Sequence, residues 1–435
     1  MKKRILLFLV ILMMVIPVQT SFGTFQKIDK SSEKSLVEIN TLESDIVTML
    51  SNVNESILSH YLEKFVSFGF KKTGSENLSR AADWIKEEFE SIGLYTYFDE
   101  WRFPRYKDKN VIAIKNGTDS SSDAVVLVCA HYDTIGGSPG ANDDGTGVAT
   151  VLTIANITSK YSFNHTIRFI MTSGEEQGTY GSFADAKKAY ERDENIIGVI
   201  NIDTIGYSNT TEDGGILQIF ASDRSRKLID FAIDVSEKYE NHTDIKLQFC
   251  TNYPADCESY YDYGFDGIQF IHPKPEKYHW MHTPEDTLDK INYTYLQKTT
   301  KTLLAIACEL SDRKIDLQVK IVKPLIGRVY LKNIPLLKLP CFNLLFTRVR
   351  AMTYILGKTS VEIDIETDEQ INSVYYAIDG YTRHVNNEPP YDYQIGGGKY
   401  AFFRLKGHHK LSVCVTTNTG KTAYDEMDIF VISII

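Results

Sequence analysis

The chain has 435 residues, 43% of them hydrophobic, and a formal net charge of -10 at pH 7. This acidic balance, with no basic run beyond the first residues, argues against a nucleic-acid partner and mainly supports solubility. Six cysteines in so long a chain do not make a disulfide scaffold.

The amino terminus has the pattern of a secretory signal peptide. A basic segment, Met1–Arg4, precedes an apolar stretch, Ile5–Val18, that is shorter than the roughly 20 residues a membrane span needs. Small residues before position 24 predict cleavage after Gly23. We therefore expect a protein that is secreted or at the cell surface, with no membrane span in the mature chain. An uncleaved anchor is the alternative.

Export would allow N-glycosylation in a host that has the machinery. The chain carries eight Asn-x-Ser/Thr acceptor sequences, at Asn54, Asn77, Asn116, Asn156, Asn164, Asn209, Asn241 and Asn292.

From residue 24 to residue 313, amphipathic helical patterns alternate with short apolar runs. Three of these runs, Ala124–Ala130, Thr166–Thr172 and Gly198–Asp203, predict strands that are buried on both faces. Such alternation is typical of an α/β domain with a mixed, largely parallel sheet flanked by helices.

Polar side chains stand at the carboxyl end of each of the three runs. His131 and Asp133 come after the first run, Glu175 and Glu176 follow the second, and Asp203 is the last residue of the third. Because ligands bind beyond the carboxyl ends of parallel strands, these side chains are expected at one edge of the sheet.

Two further segments offer the same ligand chemistry. Asp143 lies in the turn-rich stretch 140–147, and His282 begins a His-Thr-Pro-Glu-Asp segment that leads into a helical pattern. A carboxylate such as that of Asp143 can bridge two cations about 3.5–4 Å apart. Asp144 is then expected to be the N-cap of the next helix, and Asp286 to cap or orient. Imidazole and carboxylate without thiolate suit Zn²⁺ or a similar divalent ion, so the segments together predict a two-metal centre.

Alternatives remain for individual residues. Asp133 is either a carboxylate that orients His131 or a turn residue before Gly136. His279, three residues before His282, is an alternative ligand, although we expect it in the wall of the pocket. His272, His408 and His409 are expected to be ordinary loop residues.

The five segments together resemble the secreted two-zinc aminopeptidases of metallopeptidase family twenty-eight, over roughly residues 40 to 310. That resemblance implies a zinc-exopeptidase-like fold in which His131 and Asp203 bind one zinc ion, Glu176 and His282 bind the other, and Asp143 binds both. It also implies that Glu175 is the general base and that Asp133 orients His131. The implied ligand set is consistent with hydrolysis. Two cations that share a water lower its pKa and make hydroxide available at neutral pH, and an adjacent carboxylate that binds no metal can accept the proton of that water.

One loop departs from the family pattern. Many members have Ser-Asp-His where this chain has Ala255-Asp256-Cys257. In some relatives a tyrosine inside a disulfide-closed loop helps to stabilise the oxyanion. The resemblance implies that role for Tyr253 and a bridge between Cys250 and Cys257. The alternative is a surface loop with free thiols.

After residue 313 the pattern changes to short alternating runs separated by turns, which predicts a β-sandwich over residues 314–435. The segments 376–380 and 390–391 resemble immunoglobulin-like modules appended to some exported microbial enzymes. No catalytic cluster falls in this region, so we expect it to attach to a surface, bind a partner or stabilise the chain.

Two main functions are compatible with these residues. The first is a secreted zinc aminopeptidase that acts on peptides with a free amino terminus. The second is an inert surface or adhesion protein built on a peptidase-like domain. A related amide-acting enzyme, such as a carboxypeptidase or a glutaminyl cyclase, is a third alternative.

Overall fold

A computed structural model describes residues 33–222, 225–251, 256–313, 317–338, 342–344, 347–349, 352–395 and 407–432. The chain divides into two compact units, residues 1–45 and residues 46–435. In the first unit the described residues belong to helix α1 (Glu33–Asn52), whose remaining residues fall in the second. The predicted signal peptide and Tyr253 lie outside the described residues. The predicted boundary near residue 313 stays a prediction, because residues 46–435 form one unit.

An eight-stranded mixed sheet forms the centre of the amino-terminal part of the second unit, in the order β1-β2-β4-β3-β5-β8-β6-β7. Its four central strands run parallel, and strands β2 and β6 pair antiparallel to them. The strands are β1 (Tyr95–Arg102), β2 (Lys107–Lys115), β3 (Ala124–His131), β4 (Thr166–Thr172), β5 (Asn195–Ile202), β6 (Ile216–Ala221), β7 (Lys246–Thr251) and β8 (Gly267–Ile271).

Helices cover both faces of this sheet, which confirms the predicted α/β fold class. Helices α2, α3, α4 and α9 pack against one another and the sheet on one side, and α5 and α8 contact each other and the sheet on the other. The helices after α1 are α2 (Glu55–Val66), α3 (Glu76–Ser91), α4 (Gly145–Thr158), α5 (Tyr180–Glu191), α6 (Arg226–Lys238), α7 (Glu240–Thr243), α8 (Asp256–Tyr261) and α9 (Tyr293–Asp312). No helix among the described residues is both long enough and apolar enough to cross a membrane.

Helix α4 shows how the sequence sets this arrangement. Its residues are apolar or small on every side, and almost all of them are buried, because the helix lies between the sheet and α2. Its N-cap is Asp144, as predicted: the carboxylate accepts a hydrogen bond from the N–H of Gly147 at 3.0 Å.

The carboxyl-terminal part contains only β-strands among its described residues, as predicted. A seven-stranded sheet, in the order β11-β10-β14-β20-β19-β16-β17, shares one apolar core with a three-stranded sheet, β18-β15-β9, and β12 and β13 form a separate two-stranded sheet. The strands are β9 (Leu317–Lys323), β10 (Arg328–Leu331), β11 (Ile334–Lys338), β12 (Phe342–Leu344), β13 (Thr347–Val349), β14 (Thr353–Leu356), β15 (Thr359–Thr367), β16 (Ile371–Ile378), β17 (Tyr381–Asn386), β18 (Tyr393–Ile395), β19 (Gly407–Thr417) and β20 (Thr422–Ile432).

Two of the three predictions about histidines in loops were wrong. His408 and His409 lie in strand β19, because the alternation that marks this strand begins at Gly407, before the predicted run. His272 lies in the loop after strand β8, as predicted, but it is fully buried, and burial lowers its pKa to about 4. The immunoglobulin-like resemblance of the carboxyl-terminal part stays a prediction.

Candidate metal centre

Three neighbouring parallel strands deliver side chains to one edge of the large sheet. Strand β3 ends at His131, opposite Thr172 at the end of β4, and β5 ends one residue before Asp203. The two remaining candidates come from loops, Asp143 before helix α4 and His282 between β8 and α9. The predicted convergence at the carboxyl ends of the strands is therefore what the structure shows.

The five candidate ligands form two groups of three that share one carboxylate. In one group, Nε2 of His131 lies 3.1 Å from Asp143 Oδ1 and 3.9 Å from Asp203 Oδ1. In the other, Nε2 of His282 lies 3.1 Å from Asp143 Oδ2 and 3.3 Å from Glu176 Oε2. Within each group the three ligand atoms lie within 4.8 Å of one another. Asp143 therefore turns one oxygen toward each group.

His131 presents Nε2 to this centre because its other ring nitrogen is held by the main chain. Nδ1 lies 3.1 Å from the carbonyl oxygen of Asp133, which can only accept a hydrogen bond, so in the neutral ring Nδ1 carries the proton and the lone pair of Nε2 can bind a metal ion. The carboxylate of Asp133 is farther away, at 3.9 Å. The contact that sets the tautomer thus comes from the backbone of Asp133.

The carboxylate of Asp133 instead holds the loop that follows β4. It accepts hydrogen bonds from the main-chain N–H groups of Glu175 at 3.1 Å and Glu176 at 3.3 Å, and from the hydroxyl of Thr73 at 3.1 Å. Gly174 adopts a positive φ of 74°, and a Cβ there would lie 2.7 Å from the ring of Trp101. These contacts fix the orientation of the two glutamates.

A second carboxylate, that of Asp286, holds the loop with the shared ligand. It accepts hydrogen bonds from the N–H of Asn142 at 2.9 Å and of Asp143 at 3.1 Å, and from the hydroxyl of Tyr278 at 2.5 Å. Asp286 therefore orients Asp143 through its backbone, in agreement with the orienting role expected for Asp286. The peptide bond between Asp143 and Asp144 is cis.

The His282 segment packs directly on the loop after β3. A Cβ on Gly136, which has a φ of 66°, would lie 2.0 Å from the carbonyl oxygen of His282. Only glycine allows this approach, so the two loops that flank the centre are seated on each other.

The electrostatics of the site call for added positive charge. Burial, followed by the proximity of Asp143, raises the pKa of Glu176 to about 9. Burial also raises the pKa values of Glu175 and Asp144 well above their usual range, and it raises the pKa of Asp256. The pKa of His131 is raised as well, because hydrogen bonds to Asp143 and Asp203 outweigh the lowering effect of burial.

Two divalent cations fit this set of residues. Buried carboxylates at this density either bind protons or are neutralised by metal, and two groups of oxygen and imidazole nitrogen donors already face each other. A mixture of carboxylate and imidazole suits zinc. His131, Asp143 and Asp203 would hold one ion, and Asp143, Glu176 and His282 the other.

Sequence reasoning assigned no role to Asp256, which the structure brings to the same region. It begins helix α8, is almost fully buried, and accepts a hydrogen bond from the hydroxyl of Thr172 at 2.5 Å. Its other oxygen, Oδ1, is buried without a hydrogen-bond partner. The departure from the family motif at residues 255–257 was the signal that pointed to this position.

The expected bridge between Cys250 and Cys257 is absent, and both thiols are free. Cys257 packs against β8, since a Cβ on Gly267 would lie 3.3 Å from the Cβ of Cys257. Cys250 lies on β7, two strands away, or about 10 Å across the sheet. A disulfide needs Cβ atoms about 4 Å apart. His279, the alternative ligand, belongs to neither ligand group.

Comparison with known proteins agrees with this geometry. Residues 110–307, which include all five candidate ligands, match the family described as Peptidase family M28. Aminopeptidase YwaD of Bacillus subtilis is 29% identical over 223 residues, which cover 48% of this chain and 46% of YwaD. A probable zinc metalloprotease of Pyricularia oryzae is 32% identical over 193 residues, or 38% of each chain. The chain thus spans less than half the length of these relatives. The resemblance to the M28 aminopeptidases is confirmed for this part of the chain.

Solved structures share the fold. LapB from Legionella pneumophila superposes with a TM-score of 0.57 at 20% identity, covering 64% of this chain and 81% of LapB. The zinc aminopeptidase BSAP from Bacillus subtilis gives 0.52 at 18% identity, covering 60% and 95%. A glutaminyl cyclase from Bacteroides thetaiotaomicron bound to N-acetylhistamine also gives 0.52, at 16% identity, covering 60% and 99%.

Proposed function

We propose that the chain is a secreted zinc metalloexopeptidase that removes amino-terminal residues from peptides. The observation that carries this proposal is the pair of three-residue ligand groups that share Asp143. A carboxylate shared in this way is the arrangement that holds two cations close enough to act on one water and one carbonyl group. Two zinc ions held there would supply a water of lowered pKa and a Lewis acid for the carbonyl oxygen.

Glu175 is the proposed general base. Glu175 adjoins the ligand Glu176 but belongs to neither ligand group. Its main-chain N–H donates a hydrogen bond to the carboxylate of Asp133, which fixes its backbone. Its carboxylate takes a proton from the attacking water as the C–O bond forms. It then gives that proton to the departing amine as the C–N bond breaks. Asp133 supports this step by holding both glutamates in position and by fixing the tautomer of His131 through its carbonyl.

The charge around the site favours a substrate with a free amino terminus. Glu175 and Asp256 belong to neither ligand group, so their carboxylates would stay available beside bound zinc, and Asp256 lies close enough to affect the ionisation of Glu175. A positively charged terminal amine is attracted to such a region, whereas a terminal carboxylate is repelled. This contrast favours an aminopeptidase over a carboxypeptidase. Tyr253 as an oxyanion donor stays a prediction.

A glutaminyl cyclase is the second candidate, because the solved cyclase shares the fold to the same degree as BSAP. The two activities differ in product: a cyclase releases ammonia from an amino-terminal glutamine and leaves the peptide intact. An inert adhesion protein is the third candidate, although retention of every ligand together with Glu175 argues against it.

The test is hydrolysis of leucine, alanine and glutamine reporter amides by the purified protein. We expect release of the reporter from amides with a free α-amine and no release from amides whose α-amine is acetylated. A chelator should abolish the activity, and zinc or cobalt should restore it. Equal hydrolysis of acetylated amides would contradict the requirement for a free amine. Ammonia release from a glutamine peptide without cleavage would identify a cyclase, and absence of tightly bound metal would favour the inert alternative.

We further propose export by the amino-terminal signal sequence. The basic segment and the apolar stretch that ends at residue 18 support it. Mass determination of the protein from culture medium should find an amino terminus at residue 24. Retention of residues 1–23 on cell-associated protein would favour the uncleaved anchor.

A further inference from the structure

One end of the seven-stranded sheet carries an apolar row on its outer face. Strands β10, β14 and β20 run parallel and end together at Leu331, Leu356 and Ile432, and β11 begins beside them at Ile334. These four side chains are in register across four strands. Ile334 is 63% exposed and Ile432 is 42% exposed.

A second row lies two residues farther back along the strands. It runs in register from Leu337 through Val329 and Tyr354 to Phe430. Leu337 is 50% exposed, and the other three are partly exposed. We name the two rows together the distal apolar face.

The opposite face of the same strands is the core of the sandwich. Tyr330, Ile355 and Val431 alternate with the residues of the two rows and are almost completely buried. The outer face of such a sheet is ordinarily polar, since one face packs on the core and the other meets water. An exposed apolar face on an edge strand favours aggregation unless something covers it.

Two exposed lysines lie at this end of the sheet, in a chain whose net charge is -10. Lys332 follows Leu331 and Lys358 lies two residues after Leu356, so both exposed lysines sit in the turns at the tip. The tip therefore combines apolar side chains with cations.

We propose that the distal apolar face docks on an anionic lipid surface, with its two apolar rows in the interfacial layer and Lys332 and Lys358 against the headgroups. Apolar insertion combined with basic residues is how proteins bind at the surface of an anionic membrane without crossing it.

The depth of the apolar region fits such docking. Phe430 and Ile432 are two residues apart, or about 7 Å along the strand, within the usual depth of interfacial insertion. The next residue on the same face of β20 is Asp428, which pairs in register with Lys410. A charged pair at that position ends the apolar region and limits the depth.

A second copy of the chain fits less well. A two-fold dimer through this face would set the same patch against itself, and Lys332 and Lys358 would meet like charges. Leu336 is also exposed, at 53%, at the irregular point in the pairing of β11 with β10. Apolar side chains projecting from an edge strand in this way are better buried in a fluid layer than on a flat partner.

Flotation with lipid vesicles tests the proposal, using the protein without residues 1–23 so that the apolar leader cannot contribute. Residues 46–435 form a compact unit of their own, so this removal leaves the folded part intact. We expect binding to vesicles of phosphatidylcholine with phosphatidylglycerol at least about tenfold stronger than to phosphatidylcholine alone. The double variant Ile334→Ser with Leu337→Ser should bind at least about tenfold more weakly, since two apolar side chains no longer enter the layer.

Lys332→Gln with Lys358→Gln should weaken binding to anionic vesicles about thirtyfold, because each lysine contributes a factor of about five near such a surface. The matched control is Tyr381→Ser with Val385→Ser, two exposed apolar residues on β17 at the other edge of the same sheet, which should change nothing.

The proposal would be overturned by no flotation, by equal binding to neutral and anionic vesicles, or by binding that the Ile334 and Leu337 substitutions leave unchanged. Lipid-independent dimers that these substitutions abolish would also overturn it, in favour of contact between copies. Hydrolysis of aminoacyl amides by the same samples is expected to be unaffected, so failure of docking and failure of the proposed peptidase function are distinguishable.

Discussion

The two halves of the proposed metal centre differ in how they are built, although they share Asp143. The half with His131 and Asp203 is enclosed: the side chain of His131 is 2% exposed. The half with Glu176 and His282 opens to solvent on one side, where the side chain of His282 is 53% exposed. An enclosed site and an open site therefore stand side by side.

The difference follows from the elements that carry the ligands. His131 ends a central strand, and Asp203 comes directly after another, where its carboxylate accepts a hydrogen bond from Gln269 at 3.0 Å. His282 lies in a loop with a positive φ of 60°. Ligands on a packed sheet hold their positions closely, whereas ligands on loops adjust. We expect the enclosed half to keep its zinc and the open half to exchange zinc and admit substrate.

Removal of the shared ligand should abolish the distinction between the halves. Asp143→Ala takes one donor from each group, so we expect the zinc content to fall from about two ions per chain to less than one and turnover to fall about 10⁴-fold. Metal analysis and hydrolysis of a leucine amide measure both effects. Glu285→Ala, an exposed acid in the His282 segment, is the control and should match the wild type. Two ions retained by Asp143→Ala would show that the carboxylate is not shared.

Replacement of the proposed general base should leave both halves intact. Glu175→Gln keeps the size of the side chain and removes its ability to take a proton, so we expect normal zinc content with kcat lower by about 10²–10⁴-fold. Glu87→Gln, on the exposed side of helix α3, is the control for the same chemical change. Near-normal kcat would remove Glu175 from the mechanism, and loss of zinc would mean that it acts as a ligand.

Loss of a single histidine should separate the halves directly. We expect a chelator to remove zinc from the wild type in a fast and a slow phase, from the open and the enclosed half respectively. His282→Ala should lack the fast phase and keep the slow one, and His131→Ala should show the reverse. Time-resolved metal release with a colorimetric indicator reports both phases. A single phase in the wild type would mean that the halves are equivalent despite their different exposure.

The same contrast explains what could be predicted from the sequence. His131 directly follows an apolar run, and Asp203 ends another. A short apolar run bounded by polar residues is typical of a parallel strand buried on both faces, so the end of the run predicts the end of the strand. The convergence of His131 and Asp203 is then a consequence of sheet topology. The position of His282 depends on the family motif, since nothing local in its loop indicates that its backbone lies on Gly136.

Contacts over long sequence distances account for what was not predicted. The carboxylate of Asp133 could be expected near His131, but not its hydrogen bonds to residues 175 and 176, which require the packing of two loops. The free Cys250 and Cys257 reflect strand order, which adjacent residues do not encode. In the β-region, strands β15 and β16 alternate clearly, whereas β10, β11 and β14 are too short and too apolar on both faces to show a period of two.

The smallest expected effect concerns the support that both halves share. Asp286 binds the backbone N–H of Asp143 and no ligand side chain, so Asp286→Asn should weaken zinc binding about 10- to 100-fold, as typically follows loss of a group that positions a ligand. At saturating zinc, kcat should return close to the wild-type value, because the ligands themselves remain. Ser138→Ala removes a long, 3.4 Å contact to the same carboxylate and the hydrogen bond that the N–H of Gly140 donates to the Ser138 hydroxyl at 2.9 Å. It removes no contact to Asp143, so it should change zinc affinity less. Since Asp143 serves both groups, the two phases of zinc release should accelerate together in Asp286→Asn. Acceleration of one phase alone would show that the loop positions each oxygen of Asp143 independently.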